Sequence, residues 1–323
     1  MNAIRYVGMA GLALCLSQPA LAENFPDRPV TIVVPFSPGG IVDSVARIVA
    51  EPLAKSLGQP VIVENKAGAG GAIGTENVRK AKPDGYTVLA VSASHVVQPM
   101  LVASAQWDAK RDFRGLAGAG YVPNLVVVPA SGPYRDLPAL IEKARSDPGS
   151  VTYASAGIGT SNHLSGELLS QLAGVDMTHV PYKGQPDAVT DLLAGRVDMM
   201  PLTTAIAAPY VKDGRLRALA VTTREPSSTF PRVPTVAQAA SLPAYEVASW
   251  FGFVAPRDTP AAATETLSEA LRAALDTPAV REKLAGIGME VTAQDGADLD
   301  ALIAAETDKW DAVTRAAGIH VAP

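Results

Sequence analysis

Three loops rich in glycine and hydroxyl side chains each join the end of a predicted strand to the start of a predicted helix. At a helix start, free backbone N–H groups and the helix dipole favour anions. Glycine lets the backbone approach a ligand closely, and serine or threonine adds a hydroxyl donor. The candidate ligand-binding residues are Phe36, Ser37, Gly39, Gly40 and Asp43 in the first loop (36–40 and Asp43), Ser92, Ser94 and His95 in the second (92–95), Ser155, Gly159, Thr160, Ser161 and Asn162 in the third (155–162), and Thr203 after a later strand. These residues predict a site for a small anion.

Asp43 admits two interpretations. Its carboxylate can cap the helix start and order the loop amides, or it can contact a cationic group of a ligand. The second interpretation predicts an amino acid or another nitrogen-bearing solute as the ligand. The residues alone leave both open.

The sequence carries none of the common enzyme signatures. It has no Gly-x-Ser-x-Gly elbow, no His-Glu-x-x-His and no phosphate-binding Gly-x-x-x-x-Gly-Lys-Ser/Thr. His163 and Glu167 have helical i, i+4 spacing but no third metal ligand nearby, so we interpret them as a solvated or helix-supporting pair. Ordinary structural roles are expected for His179 and His320. We therefore expect a binding protein with no cofactor, no metal and no catalytic residue. A secreted enzyme is the alternative, and it would need a catalytic set that these residues do not supply.

Charge and cysteine usage narrow the class further. The 323 residues include 27 basic and 32 acidic side chains, so the chain lacks the basic surplus that nucleic-acid binding requires. Residues 1–22 are typical of a cleaved export signal, with Arg5, an apolar stretch and the segment Ala20-Leu21-Ala22. The only cysteine, Cys15, lies within that signal, although an acylated lipoprotein cysteine is a competing interpretation. We expect a periplasmic monomer without disulfides.

Short Val- and Ile-rich runs alternate with helical patterns, which is typical of α/β architecture. Strands are predicted at 30–34, 61–63, 86–91, 125–128, 151–154, 197–202, 216–221 and 247–254. The pattern predicts two lobes, each a mainly parallel sheet flanked by helices, with a ligand cleft between them. Lobe one would comprise residues 23–122 and 226–323, and lobe two residues 123–225.

Five segments together resemble one known family. They are DRPVTIVVPFSPGGIVDSVAR (27–47), VIVENKAGAGGAIGTENVRKAKPDGYTVL (61–89), PYKGQPDAVTDLLAGRVDMM (181–200), LRALAVTT (216–223) and SWFGFVAP (249–256). In this order they resemble the Bug-type extracytoplasmic solute receptors, the binding proteins of tripartite tricarboxylate transporters.

The resemblance implies a type II-like periplasmic binding fold whose cleft closes on a small organic carboxylate. It also implies that the ligand is held by amides and hydroxyls of the first loop, with Asp43, and of the third loop. The expected partners are the carboxylate and the inner-membrane transporter subunits. A receptor for a nitrogen-bearing solute and a ligand-loaded partner of a membrane sensor kinase are the alternatives.

Overall fold

The computed structural model describes residues 25–182 and 184–316, and its first unit illustrates how the sequence forms the fold. Buried Val and Ile side chains form the strand Val30–Val34, and apolar residues at helical spacing form the helix Ile41–Leu57. The helix ends at Gly58, whose φ of 65° lies in the left-handed region that favours glycine. The sequence predictions for this unit are confirmed. The predicted export signal and His320 both lie outside the described residues.

The strands and helices of the described residues follow in chain order. The strands are β1 (Val30–Val34), β2 (Val61–Asn65), β3 (Thr87–Ser92), β4 (Phe113–Val122), β5 (Asn124–Pro129), β6 (Thr152–Ser155), β7 (Thr178–Pro181), β8 (Met200–Thr203), β9 (Leu216–Val221), β10 (Ser249–Pro256) and β11 (Glu290–Asp295). The helices are α1 (Ile41–Leu57), α2 (Ala72–Arg79), α3 (Ser94–Leu101), α4 (Leu137–Ser146), α5 (Ser161–Ala173), α6 (Gln185–Leu193), α7 (Thr204–Lys212), α8 (Val236–Ala239), α9 (Ala261–Asp276), α10 (Pro278–Gly286) and α11 (Gly296–Ala316). None of these described helices is both long enough and apolar enough to cross a bilayer.

The larger sheet, which we call the core of lobe one, has six strands in the order β11-β4-β10-β3-β1-β2. β1 pairs in parallel with β2 and β3, whereas β10 is antiparallel to both β3 and β4. β4 therefore runs in the same direction as β1, β2 and β3, and four of the six strands point one way. Three of the five pairings are nevertheless antiparallel, those of β10 with β3 and β4 and that of β11 with β4. The prediction of a mainly parallel sheet therefore does not hold for the pairings of lobe one, because β10 and β11 enter the sheet in the opposite direction.

Lobe two is built on two smaller sheets. β5 lies between β8 and β9 and is antiparallel to both, so the prediction of a mainly parallel sheet is wrong for this three-stranded sheet. β6 pairs in parallel with β7. A parallel bridge between Tyr153 and Met199 connects the two sheets. The strands of lobe one come from residues 30–122 and 249–295, and those of lobe two from 124–221. The predicted domain boundaries themselves stay a prediction.

Three strands, β4, β7 and β11, are absent from the sequence prediction. β4 is composed largely of Gly and Ala, which have low strand propensity. Close packing explains its composition, because a Cβ added to Gly115 would lie 2.3 Å from the carbonyl oxygen of Gly296 at the start of α11. β11 pairs with β4 at the edge of the larger sheet.

The final helix joins the two lobes. α11 packs against β4 and α3 of lobe one and also against α5 of lobe two. Its Trp310 is 1% exposed, and the indole Nε1 donates to Glu306 Oε2 at 2.8 Å. Nearby, the Tyr245 hydroxyl donates to the Ser165 carbonyl of α5 at 3.0 Å. These contacts fix the positions of α3 and α5, the helices that follow the second and third loops.

Candidate functional site

The first loop is held from behind by Asp43. This side chain is buried, and its carboxylate accepts from Gly39 N at 2.9 Å, from Asn65 Nδ2 at 2.8 Å and from Arg47 Nε at 3.0 Å. Burial raises the pKa of Asp43, but the hydrogen bonds from Arg47, Gly39 and Asn65 outweigh it and leave the pKa below its usual range. Asn65 Nδ2 also donates to the Phe36 carbonyl at 3.0 Å. The carboxylate oxygens thus face protein donors and order the loop.

The helix that follows the first loop has an open N-terminus. Its N-cap is Gly40, and no side chain among the described residues caps it. The amides of the first turn have no intrahelical acceptor, so they are available to an anion. Gly39 has a φ of 85°, a conformation that only glycine adopts without strain.

The second loop is shorter than expected, because Ser94 and His95 already belong to α3. The Ser92 and Ser94 hydroxyl oxygens lie 2.9 Å apart. Next to them is a cavity of about 10 Å³, the room for roughly one water molecule. The cavity is lined by Pro35, Phe36, Gly71, Thr75, Val91, Ser92, Ser94, His95, Gln98 and Trp107. The first and second loops therefore share one pocket wall in lobe one.

His95 is packed inside this wall. It is 4% exposed, with its ring stacked on Trp107 at a centroid distance of 5.9 Å and edge-on to Phe113 at 4.8 Å. Burial lowers the pKa of His95 to about 3, so the ring is neutral at neutral pH. Neither ring nitrogen, nor Gln98 Oε1, has a hydrogen-bond partner among the described residues. These buried polar atoms are ready to bind water or a ligand group.

The third loop connects β6 to α5. Ser155 ends the strand and is fully buried, while Ser161 and Asn162 form the first turn of the helix. Thr160 is the N-cap, and its hydroxyl accepts from His163 N at 3.4 Å and donates to the Gly157 carbonyl at 2.7 Å. The Thr160 hydroxyl is therefore committed to the loop itself, whereas the first-turn amides have no intrahelical acceptor.

Two histidines lie directly behind this loop. Gly159 N donates to His163 Nδ1 at 3.2 Å, and the Ser155 hydroxyl lies 2.7 Å from His179 Nε2. The two imidazole rings are 4.1 Å apart. Nothing in the spacing of His163 and His179 in the sequence indicates that their rings meet behind a loop, so only structural roles were predicted for them.

Side-chain amides connect Thr203 and its strand to the third loop. Thr203 is paired in register with Asn124, whose Nδ2 donates to Ser161 Oγ at 3.3 Å. Asn162 Nδ2 donates to the Pro201 carbonyl at 2.5 Å, so this amide braces β8. Gln185 Oε1 accepts from Thr203 N at 3.2 Å. The sequence prediction of site residues includes neither Asn124 nor Gln185. Gln185 stands at the start of α6, the same helix-start position that identified the three loops.

The third loop of lobe two lies against α3 of lobe one, the helix that begins in the second loop. A Cβ added to Gly159 would lie 2.9 Å from Leu101 Cδ1 and 3.5 Å from Gln98 Nε2, both on α3. Since the first and second loops share a pocket wall, the three loops lie in one region between the sheets. Their contact with a ligand stays a prediction.

Comparison with known proteins identifies the family. The family model described as the tripartite tricarboxylate transporter family receptor matches residues 45–319. The chain belongs to this family. It is 40% identical over 306 residues, 94% of this chain and 91% of the other, to a UPF0065 protein encoded in the tcbD-tcbE intergenic region of Pseudomonas sp..

Two solved structures of similar proteins have the same fold. The periplasmic binding protein BugD is 33% identical, covers 92% of this chain and 100% of its own, and has a TM-score of 0.76. An R. palustris protein with adipate is 34% identical at the same coverages, with a TM-score of 0.78. The predicted family and the two-lobed α/β fold are therefore confirmed. The family is one of periplasmic binding receptors and is not an enzyme class.

Proposed function

We propose that this protein is an exported, monomeric solute receptor that binds a small organic carboxylate between its lobes and delivers it to a tripartite tricarboxylate-type membrane transporter. The observation that carries the proposal is the convergence of the three loops in one region, where α1 begins without a side-chain cap and α5 begins directly after the third loop. Fixed backbone dipoles in a closed cleft bind an anion without net positive charge. The similar R. palustris structure with adipate supports the ligand class.

The carboxylate would be bound from both sides. Ser37, Gly39 and Gly40 would hold it from lobe one, and the third loop would complete its shell from lobe two. The hydroxyls of Ser155 and Thr160 already bind the Gly157 backbone, so we assign the contacts from lobe two mainly to the backbone amides. A ligand that contacts both lobes stabilises the closed arrangement relative to the open one.

The contacts of Asp43 support a plain carboxylate over a cationic ligand. Its two oxygens accept from three protein donors, and those hydrogen bonds hold it ionised. A ligand ammonium would have to displace Arg47 or Asn65 and would disturb the first loop. We therefore place Asp43 behind the site as the residue that orders it.

The proposal is tested by isothermal titration of the mature chain with mono-, di- and tricarboxylates, aromatic acids and amino acids, each repeated as a thermal-shift assay. A ligand that binds only the folded state raises the melting temperature. We expect at least one acid to bind, and Ser37→Ala to weaken it about fivefold through loss of one hydrogen bond. Ser131→Ala, an exposed serine outside the site, is the control and should bind normally.

The outcomes separate the parts of the proposal. If no acid produces heat or a melting shift, the carboxylate ligand is wrong. If amino acids bind and plain acids do not, the nitrogen-bearing alternative is correct. Delivery is tested separately, by comparing uptake of the identified acid in cells with and without the gene.

A further inference from the structure

A buried polar cluster lies behind the third loop and contacts its two ends. At one end, Gly157 N donates to Ser155 Oγ at 3.0 Å, and that oxygen lies 2.7 Å from His179 Nε2. At the other end, Gly159 N donates to His163 Nδ1 at 3.2 Å. The loop backbone between them is therefore fixed by one histidine at each end.

The hydrogen bond from Gly159 determines the protonation of His163. Nδ1 is an acceptor, so the ring proton is on Nε2, which lies 3.6 Å from Glu167 Oε1. Glu167 also accepts from the Tyr153 hydroxyl. If His163 were protonated, Nδ1–H would point at the Gly159 N–H, and two donors would face each other. The loop conformation thus requires a neutral His163.

The surroundings keep both rings neutral. Burial lowers the pKa of His163 to about 3, aided by the nearby His179, and burial lowers the pKa of His179 to about 4. The rings are 4.1 Å apart, so two positive charges there would repel each other. His179 is also stacked on Tyr153 at a centroid distance of 4.9 Å.

The titratable groups that face the two rings from neighbouring elements are few. β6 contributes Tyr153 and α5 contributes Glu167. The segment Met200–Thr203 of β8, which also packs on α5, carries no titratable side chain. On α11, Glu306 and Lys309 pair with each other. Within the described residues, Glu167 is thus the carboxyl group beside the rings.

We propose that His163 is a positioning residue for ligand binding, because its Nδ1 holds the Gly159 amide and thereby fixes the third loop in the conformation that receives the ligand. This inference rests on the proposed function. His179 supports this role in two ways: it holds the Ser155 hydroxyl, and its nearby ring disfavours protonation of His163. The role is distinct from a packing role, in which only the volume of the ring would matter.

Two substitutions distinguish these roles. Asn places its Oδ1 on Cγ, where His163 carries Nδ1, so His163→Asn keeps an acceptor for the Gly159 amide. Gln places its carbonyl one atom further out, near the position of Nε2, although its size is closer to that of histidine. A positioning role therefore predicts that Asn functions better than Gln, and a packing role predicts the reverse.

The first experiment measures the affinity of both variants for the acid found by titration. We expect the dissociation constant to rise about tenfold in His163→Gln and to stay within about threefold of the wild type in His163→Asn, as for loss and retention of one hydrogen bond. Gln171→Asn, on the exposed end of the same helix, is the matched control and should leave affinity unchanged. Equal affinities of the two His163 variants, or tighter binding by Gln, would overturn the proposal.

The second experiment needs no ligand and therefore separates this proposal from the proposed function. Nitrogen NMR of the imidazole should report unprotonated Nδ1 on His163 from pH 8 to pH 5, and the Gly159 amide should exchange slowly with solvent. In His163→Gln that amide should exchange about tenfold faster, and in His163→Asn it should stay protected. A proton on Nδ1 at pH 7, or unchanged Gly159 exchange in the Gln variant, refutes the positioning role whether or not an acid binds.

Discussion

Acidification should destabilise the protein well before its carboxylates titrate, because two buried histidines are neutral in the fold. His95 is 4% exposed and His163 is 3% exposed, and burial lowers the pKa of each to about 3. In the unfolded chain both rings have a pKa near 6.5. Below pH 6.5 the unfolded state therefore binds more protons than the folded state. The unfolding free energy keeps its full value above pH 6.5 and declines as the pH falls toward 3.

The size of the effect follows from linkage. Each ring that stays neutral in the fold lowers the unfolding free energy by about 1.4 kcal/mol between pH 7.5 and pH 5.5. This is because protonation of the unfolded ring favours the unfolded state about tenfold over this range. His95 and His163 together should cost about 3 kcal/mol, a large fraction of the 5–15 kcal/mol typical of a domain. His179, whose pKa burial lowers to about 4, also stays neutral at pH 5.5 and adds a similar loss, so the three rings together should cost about 4 kcal/mol.

Urea denaturation at the two pH values measures the loss directly. The matched variant is His95→Phe, which keeps an aromatic ring between Trp107 and Phe113 and removes one titrating group. We expect the pH-dependent loss of unfolding free energy to fall by about a third in this variant, since one of three such histidines is removed. A wild-type unfolding free energy that changes by less than about 1 kcal/mol, or a variant with the full loss, would refute the reasoning.

Three substitutions test other contacts. Asp43→Asn should cost about 2 kcal/mol in urea denaturation and weaken ligand binding in calorimetry, since a buried carboxylate loses charged hydrogen bonds; unchanged values would contradict its ordering role. Gly74→Ala should cost about 2–4 kcal/mol, because its Cβ would lie 2.7 Å from Pro35 Cα, and a loss below 1 kcal/mol would mean that this backbone yields. Thr235→Ala removes the capping box with Gln238 and should lower the melting temperature by the equivalent of about 1 kcal/mol; no change would show that α8 needs no cap.

Elements with strong local patterns were predictable from the sequence. β1 and β9 were predicted with their observed bounds, because each is a run of apolar residues between clear turn signals. β4 was not, since its glycines reflect close packing and not a local preference: Gly115 packs against α11, and Gly118 and Gly120 pack against β11. β11 carries the polar sequence EVTAQD and becomes a strand only through pairing with β4. Tertiary contacts thus determine whether segments of weak strand propensity, such as β4 and β11, form strands.

The sequence could predict which loops form the candidate site, but not which side chains contact one another there. Glycine and hydroxyl residues at strand ends located the three loops, and the structure brings these loops together. The sequence left Asp43 open, and its three protein donors come from positions 39, 47 and 65. The pairing of His163 with His179 was missed because it depends on β6 and β7 lying side by side.

The position of β10 also imposes an order on folding. β10 lies between β3 and β4 and pairs Phe253 with Ala90, so lobe one cannot close its sheet until residues 249–256 are available. All strands of lobe two come earlier in the chain. Pairings this distant in sequence form slowly, and until then β3 and β4 each expose an unpaired edge that another chain can join. Aggregation during synthesis is therefore a risk located in lobe one, and a chain cut before Ser249 should aggregate even where its second lobe folds.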